Sequence, residues 1–158
     1  MSSQVLAKSI VKKLTKKGLS LSVAESVTAG GLANELTKIA GSSKVFKGGV
    51  IAYSDEVKIS ELKISKADLK KYTAVSEEVA ISMAKGALKK FKTDFAVATT
   101  GVAGPGAAYG QKAGVAWIGV ASKKEAFAIK LSLPGKRDVI RHAIITSALA
   151  ALERILKP

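Results

Sequence analysis

The sequence predicts an α/β fold, a three-layer α/β/α sandwich around a mixed sheet of about five strands. Three observations carry this. Short apolar runs alternate with segments of helical periodicity, the pattern that places helices on both faces of a largely parallel sheet. The last two apolar runs are separated by only a short Lys-Lys turn, which makes them an antiparallel hairpin and the sheet mixed. The 158 residues are 47 % apolar with a mean hydropathy of +0.21, enough to fill a core and too apolar for disorder, so residues 1–158 read as one domain.

Leu6, Ile10 and Leu14 recur at helical spacing with Val5 and Val11 beside them, and Gly18 stands where a left-handed cap belongs. A first helix is expected from about Ser3 to Lys17. Leu19 to Ala24 alternates apolar with small polar residues and runs into Glu25-Ser26-Val27-Thr28-Ala29-Gly30-Gly31, which opens an Ala/Leu-rich stretch to Ala40. This reads as strand, tight turn and helix. Gly41-Ser42-Ser43 breaks the pattern before a strand in Phe46 to Tyr53, whose run from Val50 suits a buried position. Ser54-Asp55-Glu56 carries the cap and acids of a helix start, followed by short helical pieces through Tyr72. Ser76-Glu77-Glu78 repeats that signal ahead of Val79, Met83, Ala87 and Phe91, an amphipathic helix. Phe95 to Ala98 is a further strand, ending in the glycine-rich stretch Thr99 to Gly106. Gly114 to Val120 and Ala126 to Leu133 pair around Lys123-Lys124. After Pro134-Gly135, Ile140, Ile144, Leu152 and Ile155 mark a closing helix.

Composition narrows the chemistry. With no Cys and only His142, a Cys-rich zinc site, a catalytic thiol and a multi-His metal site are excluded, and neither metal nor cofactor is expected. A nucleophile must be Ser, Thr, Tyr, Lys or a carboxylate. Lys and Arg number 26 against 12 acids, a net charge of +14. The lysines are spread over the solvent faces of several predicted elements without aromatic residues among them. They read as a solvated surface, and no specific nucleic-acid partner is expected. Neither a signal-peptide pattern nor an apolar run of roughly 20 residues occurs, so a cytoplasmic protein without a membrane partner is expected.

Three loops follow predicted strands and are rich in Gly, Ser or Thr: Glu25 to Gly31, Tyr53 to Lys58, and Thr99 to Gly110. Loops beyond strand ends are where α/β folds place ligands. No GxGxxG or GxxxxGK[ST] is present. In order and spacing, Ala24-Glu25-Ser26-Val27-Thr28-Ala29-Gly30, Ala40-Gly41-Ser42-Ser43, Val50-Ile51-Ala52-Tyr53-Ser54-Asp55-Glu56-Val57-Lys58, Ala74-Val75-Ser76-Glu77 and Thr100-Gly101-Val102-Ala103-Gly104-Pro105 resemble the CinA C-terminal domain family of nicotinamide-nucleotide amidases. The resemblance covers nearly the whole chain, in what looks like the stand-alone form.

The resemblance implies hydrolysis of the carboxamide of nicotinamide mononucleotide to the acid and ammonia, in pyridine nucleotide salvage. The Ser and Lys that the family uses map onto Ser43 and Lys58, and Tyr53 and Thr100 match further active-site positions. On this reading Ser43 attacks and Lys58, neutral through a lowered pKa, accepts its proton. Backbone N–H groups near Ser43 or in Thr100-Gly101 are candidates for holding the oxyanion. Thr28 and Gly30, where the chain enters a helix, are candidates for the substrate phosphate, although Gly30 and Gly31 serve equally well as a tight turn. Arg137 and Arg141 share a helix face, and Arg141 is taken as the phosphate-binding cation. Two departures stand out: Ala29 where the family has Gly, adding a methyl that could narrow the approach to the ligand, and a shorter, less acidic 106–114 loop, which bears on substrate preference. The alternative is a CinA-like nucleotide-binding or interaction module without hydrolysis. A homo-oligomer, dimer or higher, is expected.

Overall fold

The computed structural model describes residues 1–156. Helix α1 (Ser3–Lys17) is capped by Ser2, whose hydroxyl accepts the Val5 N–H, and is closed by Gly18 at φ 67°. Strand β1 (Leu21–Glu25) leads to α2 (Gly31–Thr37), a 3-10 turn (Ser42–Lys44) and β2 (Phe46–Ile51). Ser54 caps α3 (Asp55–Leu62), Ser65 caps α4 (Lys66–Tyr72) and Ser76 caps α5 (Glu77–Phe91), each hydroxyl accepting an N–H three residues on. Strands β3 (Phe95–Gly101), β4 (Val115–Ser122) and β5 (Ala126–Ser132) precede α6 (Arg137–Ile155).

The five strands lie in the order β2-β1-β3-β4-β5. The first three are parallel, and β4 and β5 pair antiparallel, so the expected mixed sheet is present. Its two faces differ in side-chain size because the pleat alternates large and small residues. Leu21, Val23, Val97, Ile118 and Val120 pack under α1, α2 and α6. On the other face Ala24, Ala96, Ala98 and Ala121 lie under α5, with α3 and α4 packed outside. The small face lets α5 approach closely: a Cβ at Gly119 would stand 2.1 Å from the Ala80 carbonyl oxygen. Ser9 donates to Glu153 at 2.9 Å and Lys13 pairs with the same carboxylate, tying α1 to the end of α6.

Three elements depart from expectation. Strand β2 is an edge strand with alternating half-buried and exposed residues, because β1 is its only neighbour; it ends at Ile51, where the chain turns toward α3. Strand β3 runs past its apolar stretch through Thr99, Thr100 and Gly101, polar residues that remain in register because β1 and β4 flank them. Helix α2 stops at Thr37 rather than near Ala40. Among the described residues no helix is long and apolar enough to cross a membrane.

Candidate active site

Beyond β1 the chain turns toward β2, and beyond β3 it turns the opposite way, toward β4. The carboxyl ends of β1 and β3 therefore border a crevice at the point where the strand order reverses, the usual ligand position in such sheets. Ser26 is the first residue past β1, and its N–H donates to the Thr99 carbonyl at 2.9 Å. Behind the turn, buried Glu25 accepts the Thr28 hydroxyl at 2.6 Å and the N–H groups of Leu32 and Ala33 at 2.7 and 3.1 Å. Thr28 also hydrogen-bonds Thr99 at 2.7 Å between hydroxyls. The turn is thus held from within. Among the described residues, the Val27 and Thr28 N–H groups have no intramolecular acceptor.

Lys58 lies in the first turns of α3 and is 1 % exposed. Its Nζ donates to the Ala52 carbonyl at 2.8 Å and to Ser26 Oγ at 3.3 Å. Burial lowers its pKa below the usual lysine value, with Asp55 opposing the shift. No carboxylate among the described residues stands within 4.0 Å of it. A buried amine with no carboxylate in direct contact among the described residues, touching a serine hydroxyl, has the makings of a general base.

Ser26 opens into a cleft of about 200 Å³ lined by Val27, Tyr53, Gly101, Tyr109 and Arg137. A second cavity of about 590 Å³ adjoins it along the Ala103 to Pro105 segment and extends to Gly135 and Arg141. Arg137 donates to the Gly104 carbonyl at 2.6 Å and to the Tyr53 hydroxyl at 3.4 Å, bridging the two sides of the cleft.

The structure brings Lys58, Tyr53 and Gly101 to this crevice and leaves others out. Ser43, in the 3-10 turn, is exposed and precedes β2, whereas Lys58 follows it; six residues of strand, about 20 Å, separate them. The serine within reach of Lys58 is Ser26. Thr100 is buried, and its hydroxyl donates to the Ala74 carbonyl at 2.5 Å, fastening the segment before α5 to β3. The phosphate expectation at Thr28 and Gly30 meets the Glu25 carboxylate, which already takes the free N–H groups of Leu32 and Ala33 at the start of α2, while the Gly31 N–H goes to Thr28 O. Arg141 donates through Nε to Val27 O at 3.0 Å and through Nη2 to Thr28 O at 3.1 Å, so it braces the serine turn, and Arg137 is the arginine that lines the cleft with Ser26. Ala29 is exposed at φ 44° and stands outside the cleft lining, so its methyl does not narrow the approach.

Sequence reasoning did not name Ser26, Glu25 or Tyr109 as site residues, and of the two arginines it weighed on α6 it preferred Arg141 to Arg137, the one that lines the cleft. The signal for Ser26 was available: it lies in the Glu25 to Gly31 loop that follows the strand predicted at Leu19 to Ala24. Tyr109 lies in the Thr99 to Gly110 loop singled out as a candidate ligand loop, but nothing in the sequence set it apart within that loop.

The family model for the CinA C-terminal domain matches residues 3–156. A protein of Caldicellulosiruptor saccharolyticus named for competence-damage induction is 43 % identical over 155 residues, covering 98 % of this chain and 38 % of the relative. A CinA-like protein of Rippkaea orientalis is 42 % identical over 157 residues, 97 % of this chain and 38 % of its own. The chain thus spans about two fifths of the length of these curated relatives. Among solved structures, competence/damage inducible protein CihA from Agrobacterium tumefaciens superposes with a TM-score of 0.94 at 34 % identity, covering 98 % of this chain and 96 % of that one. Competence damage-inducible protein A from Klebsiella pneumoniae gives 0.95 at 29 % identity, with 98 % and 96 % covered.

Proposed function

The chain belongs to the CinA C-terminal domain family, and from that membership and the amine buried behind Ser26 we propose that it hydrolyses the carboxamide of nicotinamide mononucleotide to the acid and ammonia, a step of pyridine nucleotide salvage. The observation that carries the reading is Lys58 Nζ at 3.3 Å from Ser26 Oγ, without a carboxylate partner among the described residues.

An unactivated amide resists water, so the reaction is divided into acylation and deacylation. Neutral Lys58 takes the Ser26 proton as Oγ attacks the carboxamide carbon. The oxyanion of the tetrahedral intermediate accepts from the N–H of Val27, the residue after the nucleophile, which has no acceptor among the described residues. Protonated Lys58 then hands its proton to the departing NH2, which leaves as ammonia. Water attacks the Ser26 ester with Lys58 again as base, restoring the hydroxyl and freeing the acid. The Ala52 carbonyl keeps Nζ aimed throughout, and Arg137 and Tyr53 border the space left for the rest of the nucleotide.

The test is ammonia release from nicotinamide mononucleotide by the purified protein with a metal chelator present. Turnover that persists under chelation and falls at least about a hundredfold in Lys58→Met supports the reading. Binding of the nucleotide without ammonia release would favour the non-hydrolytic module instead.

A further inference from the structure

The topology gathers lysines that the sequence scatters. Lys16 and Lys17 end α1, and Lys44 and Lys47 flank the start of β2. Lys89 and Lys90 end α5, Lys92 follows it, and Lys123 and Lys124 lie with the exposed acid Glu125 in the β4–β5 turn. Because Leu21 pairs with Phe46 and Phe95, and Phe95 with Ser122, all four segments come to the amino end of the parallel strands, opposite Ser26. All nine lysines are exposed. Glu61 reaches Lys90 at 3.4 Å and Asp94 reaches Lys123 at 3.2 Å; the other seven have no acidic partner among the described residues.

Helix dipoles account for lysines ending α1 and α5. They do not account for those at the start of β2 or in the hairpin turn. The exposed large apolar residues, among them Ile51, Tyr53, Tyr109 and Val139, lie toward the other end of the sheet or its flanks. At the lysine end Leu19, Phe95 and Ile155 are half-buried and line a cavity beside Lys123 and Lys124, so the pole offers charge without a protruding apolar side chain to insert into a bilayer or an exposed aromatic ring to stack on unpaired bases.

We propose that this lysine pole is a docking surface for the phosphodiester backbone of double-stranded nucleic acid, bound without regard to sequence. Four strand spacings of about 4.8 Å give the pole a width of about 19 Å, which matches five or six phosphates of one strand at about 3.4 Å each. About five neutralised phosphates imply an affinity that falls roughly 10²- to 10³-fold between 50 and 200 mM salt.

The experiment measures anisotropy of a labelled 24-base-pair duplex of arbitrary sequence at both salt concentrations. Wild type is compared with Lys92→Glu/Lys123→Glu/Lys124→Glu and with Lys66→Glu/Lys70→Glu/Lys71→Glu, which changes net charge equally on α4. Support is a loss of about tenfold or more in the first triple variant, less than about threefold in the second, and the stated salt dependence. Equal losses in both, absence of duplex binding by wild type, or binding only to vesicles of phosphatidylserine and phosphatidylcholine would overturn the proposal. Circular dichroism of each variant identifies losses caused by misfolding, and a single Lys124→Glu, expected to lose about two- to threefold, replaces a triple variant that does not fold.

Discussion

Lys58 is expensive to bury as a cation, and nothing acidic offsets the expense at close range. With its folded-state pKa below the unfolded value of about 10.4, the native protein binds fewer protons than the unfolded chain between the two values. Stability therefore rises with pH across that window on account of this group. Urea unfolding should show wild type gaining on Lys58→Met as pH climbs from the folded-state pKa toward about 10; a constant difference would contradict the shift. The rate of ammonia release should follow the same titration, rising with pH as Lys58 deprotonates. At Ala29 the left-handed φ of 44° burdens a residue with a Cβ. Ala29→Gly should stabilise by up to about 1 kcal/mol, the relief being partly offset by the added entropy of the unfolded chain, as measured by the same unfolding experiment. The pairing of Lys58 was only half legible in the sequence. Ser43, where the family resemblance placed the pair, is 15 positions from Lys58 and Ser26 is 32, yet a whole strand separates Ser43 from Lys58 while Ser26 touches it. The parallel pairing of β1 with β2 makes the distant serine the neighbour.

At the scale of elements, the β1–α2 junction is a structural knot in which a carboxylate does what a phosphate was expected to do. Glu25 holds three donors from a buried position. Glu25→Ala should cost about 3 kcal/mol or more, since charged hydrogen bonds are lost and buried N–H groups are left unsatisfied, and it should loosen the Ser26 turn as well. An unfolding free energy within about 1 kcal/mol of wild type would contradict this role. Helix α5 rests on the alanine face of the sheet, and Gly119→Ala would drive a methyl against the Ala80 carbonyl. A loss of about 1–3 kcal/mol is expected, measurable as a lower urea midpoint. The starts of α3 and α5 were well marked in the sequence because Ser54 and Ser76 are caps whose hydroxyls do visible local work. The extent of β3 was not, because Thr99 and Thr100 owe their place to neighbours far along the chain.

Across the whole molecule, the sheet separates two ends of different character. One holds the Ser26–Lys58 pair and the cleft, and the other holds the lysines and Ser43. Strands of five to eight residues keep these ends roughly 17–26 Å apart, beyond two Debye lengths of about 8 Å at physiological salt. Charge reversal at the lysine pole should therefore leave the rate of ammonia release within about twofold of wild type. The same separation makes the two serines a direct test of which end performs the chemistry. Ammonia release from nicotinamide mononucleotide should fall at least about a thousandfold in Ser26→Ala and stay within about twofold of wild type in Ser43→Ala. Loss of activity in Ser43→Ala with Ser26→Ala still active would contradict the account.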